Sequence, residues 1–264
     1  MFIAAVFIAR DSDCIGRVDR STLSQQTLME LFIFGLNKPE NICDSRESPA
    51  EVCQWEGVTC NAENKVEEFR WAWKRKDGTG TFACEFLPCS VKEVIMSFNS
   101  LRGTIKLADL PVNTEILYLS ENQLSGSLDL DDLPTSMKEV ILGANEFTGE
   151  VSLVKLPDGL EYLDLGENQL RSTICLTSLP RALIYLSLSN NQFEGSLDFS
   201  RLPDSIEEVR LYTNRFSGTI DLGKLPQSLR KLDAQDNNFE GSVRVPSHGT
   251  IDFGANDKLT LEMA

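Results

Sequence analysis

Apolar and polar positions recur along this chain with a fixed period of 23 residues. Around Asn145, apolar side chains stand eight, five and three positions before the asparagine, and two, six, eight and eleven positions after it. The alternation just before the asparagine is typical of a β-strand that buries one face. Each repeat therefore predicts one short strand that ends in a turn at the asparagine.

The asparagine itself keeps this register without any insertion or deletion. The seven members of the series are Asn99, Asn122, Asn145, Asn168, Asn191, Asn214 and Asn237. An asparagine amide offers two N–H donors and an acceptor, so it can satisfy backbone groups that a turn leaves unpaired. We therefore expect a structural asparagine ladder along the inside of the molecule.

A single repeat cannot bury its own apolar face, so neighbouring repeats must stack into one continuous core. Glycine follows most of the asparagines by four positions, with Ser172 as the exception, and suits a tight bend. A second alternation comes next, and a recurring Leu-Pro pair then prevents a long helix. The pattern predicts a mostly β solenoid with a parallel concave sheet and short 3₁₀ turns on the convex side.

The chain before the repeats predicts an amphipathic helix over residues 21–35, ended by Gly35 and Pro39. Its expected apolar stripe consists of Leu23, Leu28, Leu31 and Phe32. The segment CQWEGVTC, residues 53–60, follows the helix, and an irregular strand with two tryptophans comes next.

This order of helix, cysteine segment and strand, with repeats in the leucine-rich range, resembles plant-type leucine-rich repeat proteins. The polygalacturonase-inhibiting proteins and the receptor-kinase ectodomains carry such a cap. The resemblance implies a right-handed solenoid of the α/β-horseshoe class with a helical N-terminal cap. It also implies that Cys53 bonds to Cys60 and that Trp55 packs against the helix. The repeats are one residue shorter than the usual plant unit, and in this they look like repeat arrays of protist proteins.

The expected organisation has four parts. Residues 1–18 are a signal-peptide remnant or a disordered stretch, and residues 19–65 form the cap with its helix and disulfide. Residues 66–243 form one degenerate and seven regular coils, and residues 244–264 form a C-terminal cap or tail.

The chain has seven cysteines, so one stays unpaired if the others all bridge. Beyond the cap disulfide, Cys84 with Cys89 and Cys14 with Cys43 are equally open pairs. Disulfides favour an oxidising compartment, so we expect a secreted or cell-surface protein, with the cytoplasm as the alternative.

The net charge of −15, from 25 basic and 40 acidic residues, argues against a nucleic-acid partner. It favours a basic partner, although solubility of an elongated surface explains the same charge. No apolar stretch approaches the roughly 18 residues that span a bilayer, so membrane insertion is not expected. We expect a monomer.

Catalysis is not expected either. The sole histidine, His248, lies beyond the repeats, and the chain has no phosphate-binding loop. A carboxylate pair such as Glu139 and Asp164 is the one catalytic option, but no insertion encloses it. No CxxC pair suggests a metal site, and we expect no cofactor.

The candidate binding surface consists of the positions six, four and two before each ladder asparagine, which should point outward from the concave sheet. All four tyrosines of the chain occupy them, and tyrosine is favoured at recognition surfaces. The candidate partner-binding residues are Tyr118, Glu139, Tyr162, Asp164, Tyr185, Glu208, Arg210, Tyr212, Lys231 and Asp233.

These positions predict a non-enzymatic recognition module for a protein, peptide or glycan partner. An inhibitor of a secreted hydrolase is an alternative that the family resemblance implies. A structural or adhesive surface protein without a single ligand is the other alternative.

Overall fold

A computed structural model describes residues 22–247 and 249–263, which fold into a β-solenoid of about nine stacked turns. This is the leucine-rich repeat horseshoe that the 23-residue period predicts. His248 lies outside the described residues, as does the N-terminal stretch 1–18.

The concave sheet contains ten strands of the described chain, one from the N-terminal cap and one from each of nine coils. In order, they are Val58–Cys60, Val66–Arg70, Glu93–Ile95, Ile116–Tyr118, Glu139–Ile141, Tyr162–Asp164, Tyr185–Ser187, Glu208–Arg210, Lys231–Asp233 and Thr250–Asp252. The first two pair antiparallel, and all later neighbours pair parallel. Each pairing keeps the sequence register, so Tyr162 lies opposite Tyr185 and Leu163 opposite Leu186.

The strands that follow the asparagines form the flank sheets. One contains Thr79–Thr81, Ser100–Thr104, Gln123–Gly126, Glu146–Gly149 and Gln169–Leu170. The other contains Glu194–Gly195, Arg215–Gly218, Asn238–Val245 and Lys258–Met263. The interruption between them falls in the coil where Ser172 replaces the recurrent glycine.

Helical segments of the described chain are short, because Leu-Pro recurs on the convex side. The α-helices are Gln25–Ile33 and Glu40–Cys43; the 3₁₀ turns are Val52–Gln54, Arg75–Gly78, Cys84–Phe86, Leu107–Asp109 and Leu130–Asp132.

The N-terminal helix is shorter than the sequence pattern predicts, and its buried face differs. The Ser24 hydroxyl accepts a hydrogen bond from the Thr27 N–H and caps the helix, which leaves Leu23 outside it. Met29, Phe32 and Ile33 are the buried side chains, whereas Leu28 and Leu31 are half-buried. Phe32 fixes this orientation because its ring makes edge contacts with Phe69 and Phe82 of the first coil.

The cap disulfide between Cys53 and Cys60 is confirmed. Cys84 and Cys89 are not bonded to each other: Cys84 is buried and its thiol donates to the Lys106 carbonyl oxygen, while Cys89 is exposed. Cys14 lies outside the described residues, and its alternative pairing with Cys43 is wrong, because Cys43 is a free, buried thiol that donates to the Ser45 carbonyl oxygen.

The asparagine ladder joins each coil to the one before it. Asn168 Nδ2 donates to Leu142 O at 3.2 Å in the preceding coil, and to Leu165 O at 3.2 Å and Gly166 O at 3.0 Å in its own coil. Its Oδ1 accepts from Phe147 N at 3.0 Å, again in the preceding coil. One buried side chain thus satisfies backbone groups of two coils, and the other ladder members repeat the pattern.

The ladder has a further member that the fixed period does not reveal. Asn256 accepts from Phe239 N at 3.0 Å and donates to Ala234 O at 3.1 Å, as the regular members do. Residues 244–264, expected to be a cap or tail, therefore contain another and shorter coil, with the strand Thr250–Asp252 on the concave sheet.

The first prediction tests the ladder. Asn168→Ala leaves the Phe147 N–H and three carbonyl oxygens without this partner, and one unsatisfied buried group costs about 1–3 kcal/mol. We expect the free energy of unfolding to fall by at least about that amount in chemical denaturation. Gln169→Ala, at the exposed neighbouring position, is the control and should change it by less than about 0.5 kcal/mol. An unchanged midpoint for Asn168→Ala would contradict the ladder.

The second prediction concerns a polar atom in the core. Thr114 is 0% exposed, and its Oγ1 has no hydrogen-bond partner among the described residues. Burying such a hydroxyl costs about 1–3 kcal/mol, so Thr114→Val should raise the free energy of unfolding by about 1 kcal/mol. The exposed Thr148→Val is the matched control and should be nearly neutral. A lower denaturation midpoint for Thr114→Val would show that the hydroxyl is stabilising.

The third prediction orders the thiols by reactivity with iodoacetamide. Hydrogen bonds from Thr177 and Ser178 lower the pKa of the exposed Cys175, whereas burial raises the pKa of Cys84 to about 11. Because the thiolate is the nucleophile, Cys175 should label at a lower pH than Cys84, which should react only on unfolding. Thr177→Val should move the labelling of Cys175 to a higher pH.

Mass mapping of the same samples tests the disulfide. Cys53 and Cys60 should label only after reduction, and labelling of either without a reductant would refute the bond.

Candidate functional site

The ten candidate partner-binding residues all lie on the strands of the concave sheet or directly after them. Nine are half-buried, as expected for side chains that stand on a narrow sheet between neighbours. Asp233 is the exception, since it is only 7% exposed. It is covered because Gln235 donates to its Oδ1 at 3.1 Å and Lys231 lies 3.7 Å from its Oδ2.

An aromatic pair lies at the centre of this sheet. The rings of Tyr162 and Tyr185 stack with centroids 6.3 Å apart, because the parallel register places them opposite each other. The Arg210 guanidinium lies 5.4 Å from the Tyr185 ring centroid on the next strand. Burial raises the pKa of Tyr185, and the charge of Asp164 raises it further. Tyr185 therefore stays a neutral hydroxyl at physiological pH.

Tyr118 and Glu139 form a second contact within the sheet. The Tyr118 hydroxyl donates to the Glu139 carboxylate one strand away. Burial and this hydrogen bond raise the pKa of Tyr118. Glu139 lies opposite Tyr162 while Asp164 lies opposite Ile141, so the two carboxylates occupy different columns of the sheet. The hydrogen bond from Tyr118 therefore occupies the Glu139 carboxylate.

The basic residues toward the C-terminal end are held by acidic neighbours. Arg210 Nε lies 2.7 Å from Glu208 Oε1, and Lys231 Nζ lies 3.6 Å from the same atom. Lys231 also approaches Asp233. The positive charge at this end of the sheet is therefore already neutralised within the molecule.

A depression of about 200 Å³ runs across the coils beside these residues, and we call it the concave trough. Its floor consists of Ser120, Gly143, Gly166 and Ser189. The two glycines leave the floor without side chains, and packing requires this at Gly166, because a Cβ there would come within 2.9 Å of Ser187 Oγ. A Cβ on Gly143 would come within 3.2 Å of Asp164 Oδ1. Side chains at these two positions would fill the space that the trough provides.

One rim of the concave trough is set by the asparagine ladder. The residue before each of the seven regular ladder asparagines has a φ between +51° and +59°, in the left-handed region that non-glycine residues seldom adopt. Phe98, Glu121, Ala144 and Glu167 occupy this position and line the trough. The opposite rim carries Ile141, Asp164, Ser187 and Arg210.

The N-terminal end of the trough bears an aromatic platform. The Trp73 ring stacks on Phe98 with centroids 3.5 Å apart and an angle of 8° between the planes. Trp73 is 63% exposed, although it is a large apolar residue. Tyr212 lies at the other end, five coils away, which corresponds to about 24 Å at 4.8 Å per strand.

Sequence reasoning therefore located part of this site. Asp164, Tyr185, Arg210 and Tyr212 line the trough. The other six candidates lie on the same sheet but outside the trough lining. The rim before each asparagine and the two floor glycines were missed. A signal was present, because Gly143 and Gly166 occupy an outward column that holds serine or a larger residue in the other regular coils.

A larger, shallower depression of about 1210 Å³ lies on the flank, among small side chains that include Ser127, Thr173 and Ser196. These side chains are small because neighbouring coils stack closely at this column. The recurrent glycine of each coil packs against this column, so a Cβ on Gly195 would lie 2.9 Å from Thr173 Cγ2. The flank depression is lined by the carboxylates of Asp129, Asp131, Glu150 and Asp198, but it has none of the aromatic side chains that distinguish the trough.

Two further chemical features are absent from residues 22–247 and 249–263. These residues contain no cluster of three or more potential metal ligands. None of their helices is long and apolar enough to cross a membrane.

No protein-family model and no curated protein matches this chain. Solved structures do match. Pollen receptor kinase 3 is 20% identical, with 82% of this chain and 93% of that chain covered and a TM-score of 0.50. A plant ice-binding protein is 22% identical, with 85% and 89% covered and a TM-score of 0.50. The ectodomain of the Arabidopsis receptor kinase HAESA, in complex with an IDA peptide hormone ligand, is 19% identical, with 90% and 49% covered and a TM-score of 0.43.

At these identities the first two matches show the fold alone. The chain is a leucine-rich repeat solenoid, and its structural neighbours include plant receptor-kinase ectodomains.

Proposed function

Since the chain folds as a leucine-rich repeat solenoid, we propose that it is a non-enzymatic recognition module that binds its partner in the concave trough. The observation that carries this proposal is the trough itself, opened by Gly143 and Gly166 in a sheet whose other outward positions are filled. Coil packing keeps Gly166 free of a side chain, and the bare floor between aromatic and charged rims leaves room for a ligand.

The dimensions favour an extended ligand. The trough is about 24 Å long from Phe98 to Tyr212, which equals about seven residues of a β-strand. It is only a few residues wide, so its area is below the roughly 800 Å² that each side of a standard protein interface buries. A peptide, or an extended segment of a protein, therefore fits it better than a globular surface.

Tyr185 is the anchor of the proposed surface. Its ring is fixed between Tyr162 and the Arg210 guanidinium, so little rotamer freedom is left to lose on binding. Rigid, half-buried aromatic residues near the centre of an interface are where binding energy concentrates.

We further propose that the protein acts outside the cell or at its surface. The Cys53–Cys60 disulfide supports this location, because such bonds persist in oxidising compartments. The plant receptor-kinase ectodomains among its structural neighbours also support it.

The fourth prediction tests the concave surface. Tyr162→Ala with Tyr185→Ala should weaken partner binding by well over tenfold, because the Tyr185 anchor is worth about 2 kcal/mol or more and Tyr162 stacks on its ring. The purified solenoid, kept under oxidising conditions, is used to capture partners from extracellular fluid of its source. The affinity of each captured partner is then measured for both proteins.

Two controls make this result specific. Asp131→Lys changes a convex residue that is ion-paired with Lys155, and it should leave binding within about twofold. Tyr185→Phe keeps the stacked ring and should retain the fold and most of the affinity. Normal binding by the double alanine variant, together with loss of binding in Asp131→Lys, would refute the concave surface. A single captured hydrolase would identify an inhibitor, and weak multivalent capture would identify an adhesive protein.

A further inference from the structure

Three carboxylates of the concave trough have no ion-pair partner among the described residues. They are Glu121, Asp164 and Glu167. Glu93 and Glu208 on the same sheet are each paired with an arginine, and Glu139 accepts a hydrogen bond from the Tyr118 hydroxyl. The trough therefore holds three carboxylates without an ion pair in the described chain, and its low-dielectric walls strengthen their field.

Two of these carboxylates lie on either side of the floor. Asp164 and Glu167 lie on opposite rims of the same coil, with Gly166 between them. Asp164 Oδ1 is held by the Gly166 N–H at 2.8 Å, so its carboxylate is fixed at the trough edge. A guanidinium has donors along more than one edge and can bond to both carboxylates at once.

The third carboxylate lies beside the aromatic platform. Glu121 follows Phe98 by one coil on the same rim, and Trp73 is stacked on Phe98 with most of its ring exposed. Arginine is the cation that combines stacking on an aromatic face with carboxylate hydrogen bonds. The protein already contains this combination, because Arg210 lies over Tyr185 while it bonds to Glu208.

The spacing of the two positions matches an extended chain. Glu121 and Glu167 are equivalent rim residues two coils apart, which is about 9.6 Å at 4.8 Å per coil. Side chains three residues apart along an extended peptide in the polyproline II conformation lie on the same face and are separated by about 9.3 Å.

We propose that the concave trough binds an extended basic peptide segment through two arginine side chains three positions apart. One guanidinium is bound between Asp164 and Glu167, and the other by Glu121 and the Trp73–Phe98 platform. This rests on the proposed concave binding function and adds the chemical class of its ligand.

The fifth prediction tests whether the concave trough recognises the positive charge of its ligand. The probe is the blocked hexapeptide Gly-Arg-Ser-Ser-Arg-Gly, titrated into the full chain by isothermal calorimetry at low and at physiological salt. We expect saturable one-to-one binding that weakens at least tenfold when both arginines are replaced by the neutral isostere citrulline. Peptides with one or with five residues between the arginines should also bind more weakly.

The matched variants are Glu121→Gln with Glu167→Gln and, as the control, Asp158→Asn with Asp204→Asn. Both pairs remove two negative charges from equivalent positions two coils apart, but Asp158 and Asp204 lie on the exposed convex side and have no ion pair within residues 22–247 and 249–263. The rim pair should weaken the peptide at least tenfold, and the control pair less than twofold.

Several outcomes would overturn the proposal. One is an equal loss of peptide affinity in both variant pairs, which indicates general attraction to an acidic protein. The others are equal affinity for the arginine and citrulline peptides, and no peptide binding at all. Neutral oligosaccharides, titrated in parallel, should not bind, and binding by them in the trough would identify a glycan ligand instead. Failure here with intact tyrosine-dependent capture refutes only the basic ligand, whereas loss of that tyrosine dependence refutes the concave binding function.

Discussion

The buried asparagine side chain is the interaction on which the rest of this structure depends. Asn168 makes three donor contacts and one acceptor contact, and these connect its own coil with the preceding one. Without it, backbone groups at every turn would be buried and unpaired. Since a solenoid is stable through the contacts between neighbouring repeats, the ladder couples the coils as well as satisfying each turn.

The same turn also shapes the candidate site. A left-handed residue precedes each regular ladder asparagine, and four of these residues, Phe98, Glu121, Ala144 and Glu167, lie on the rim of the concave trough. Glu121 and Glu167 are therefore presented at a fixed interval of two coils, by a backbone conformation that the asparagines stabilise. The repeat thus creates a regular row of positions before the ladder asparagines, and the side chains at these positions differ from coil to coil.

Most of the fold could be predicted from the sequence because the period determines it. The strand, the turn, the flank strand and the stacked core follow from columns that repeat without a gap, and the Cys53–Cys60 bond followed from the resemblance of the cap. The predictions failed where the period is absent. The helix stripe depended on how Phe32 meets Phe69 and Phe82, and the coil around Asn256 is shorter than the others.

The sequence by itself determined which residues share the concave sheet, because the two-residue period of a β-strand places every second side chain on one face. Only the tertiary structure decided which of them surround a depression and which are covered. Asp233 is buried by its neighbours on the same sheet, and the trough is formed where Gly143 and Gly166 become adjacent in space. The depth of the trough and the pairing of charged side chains both depend on distances between coils. A linear pattern carries no such distances.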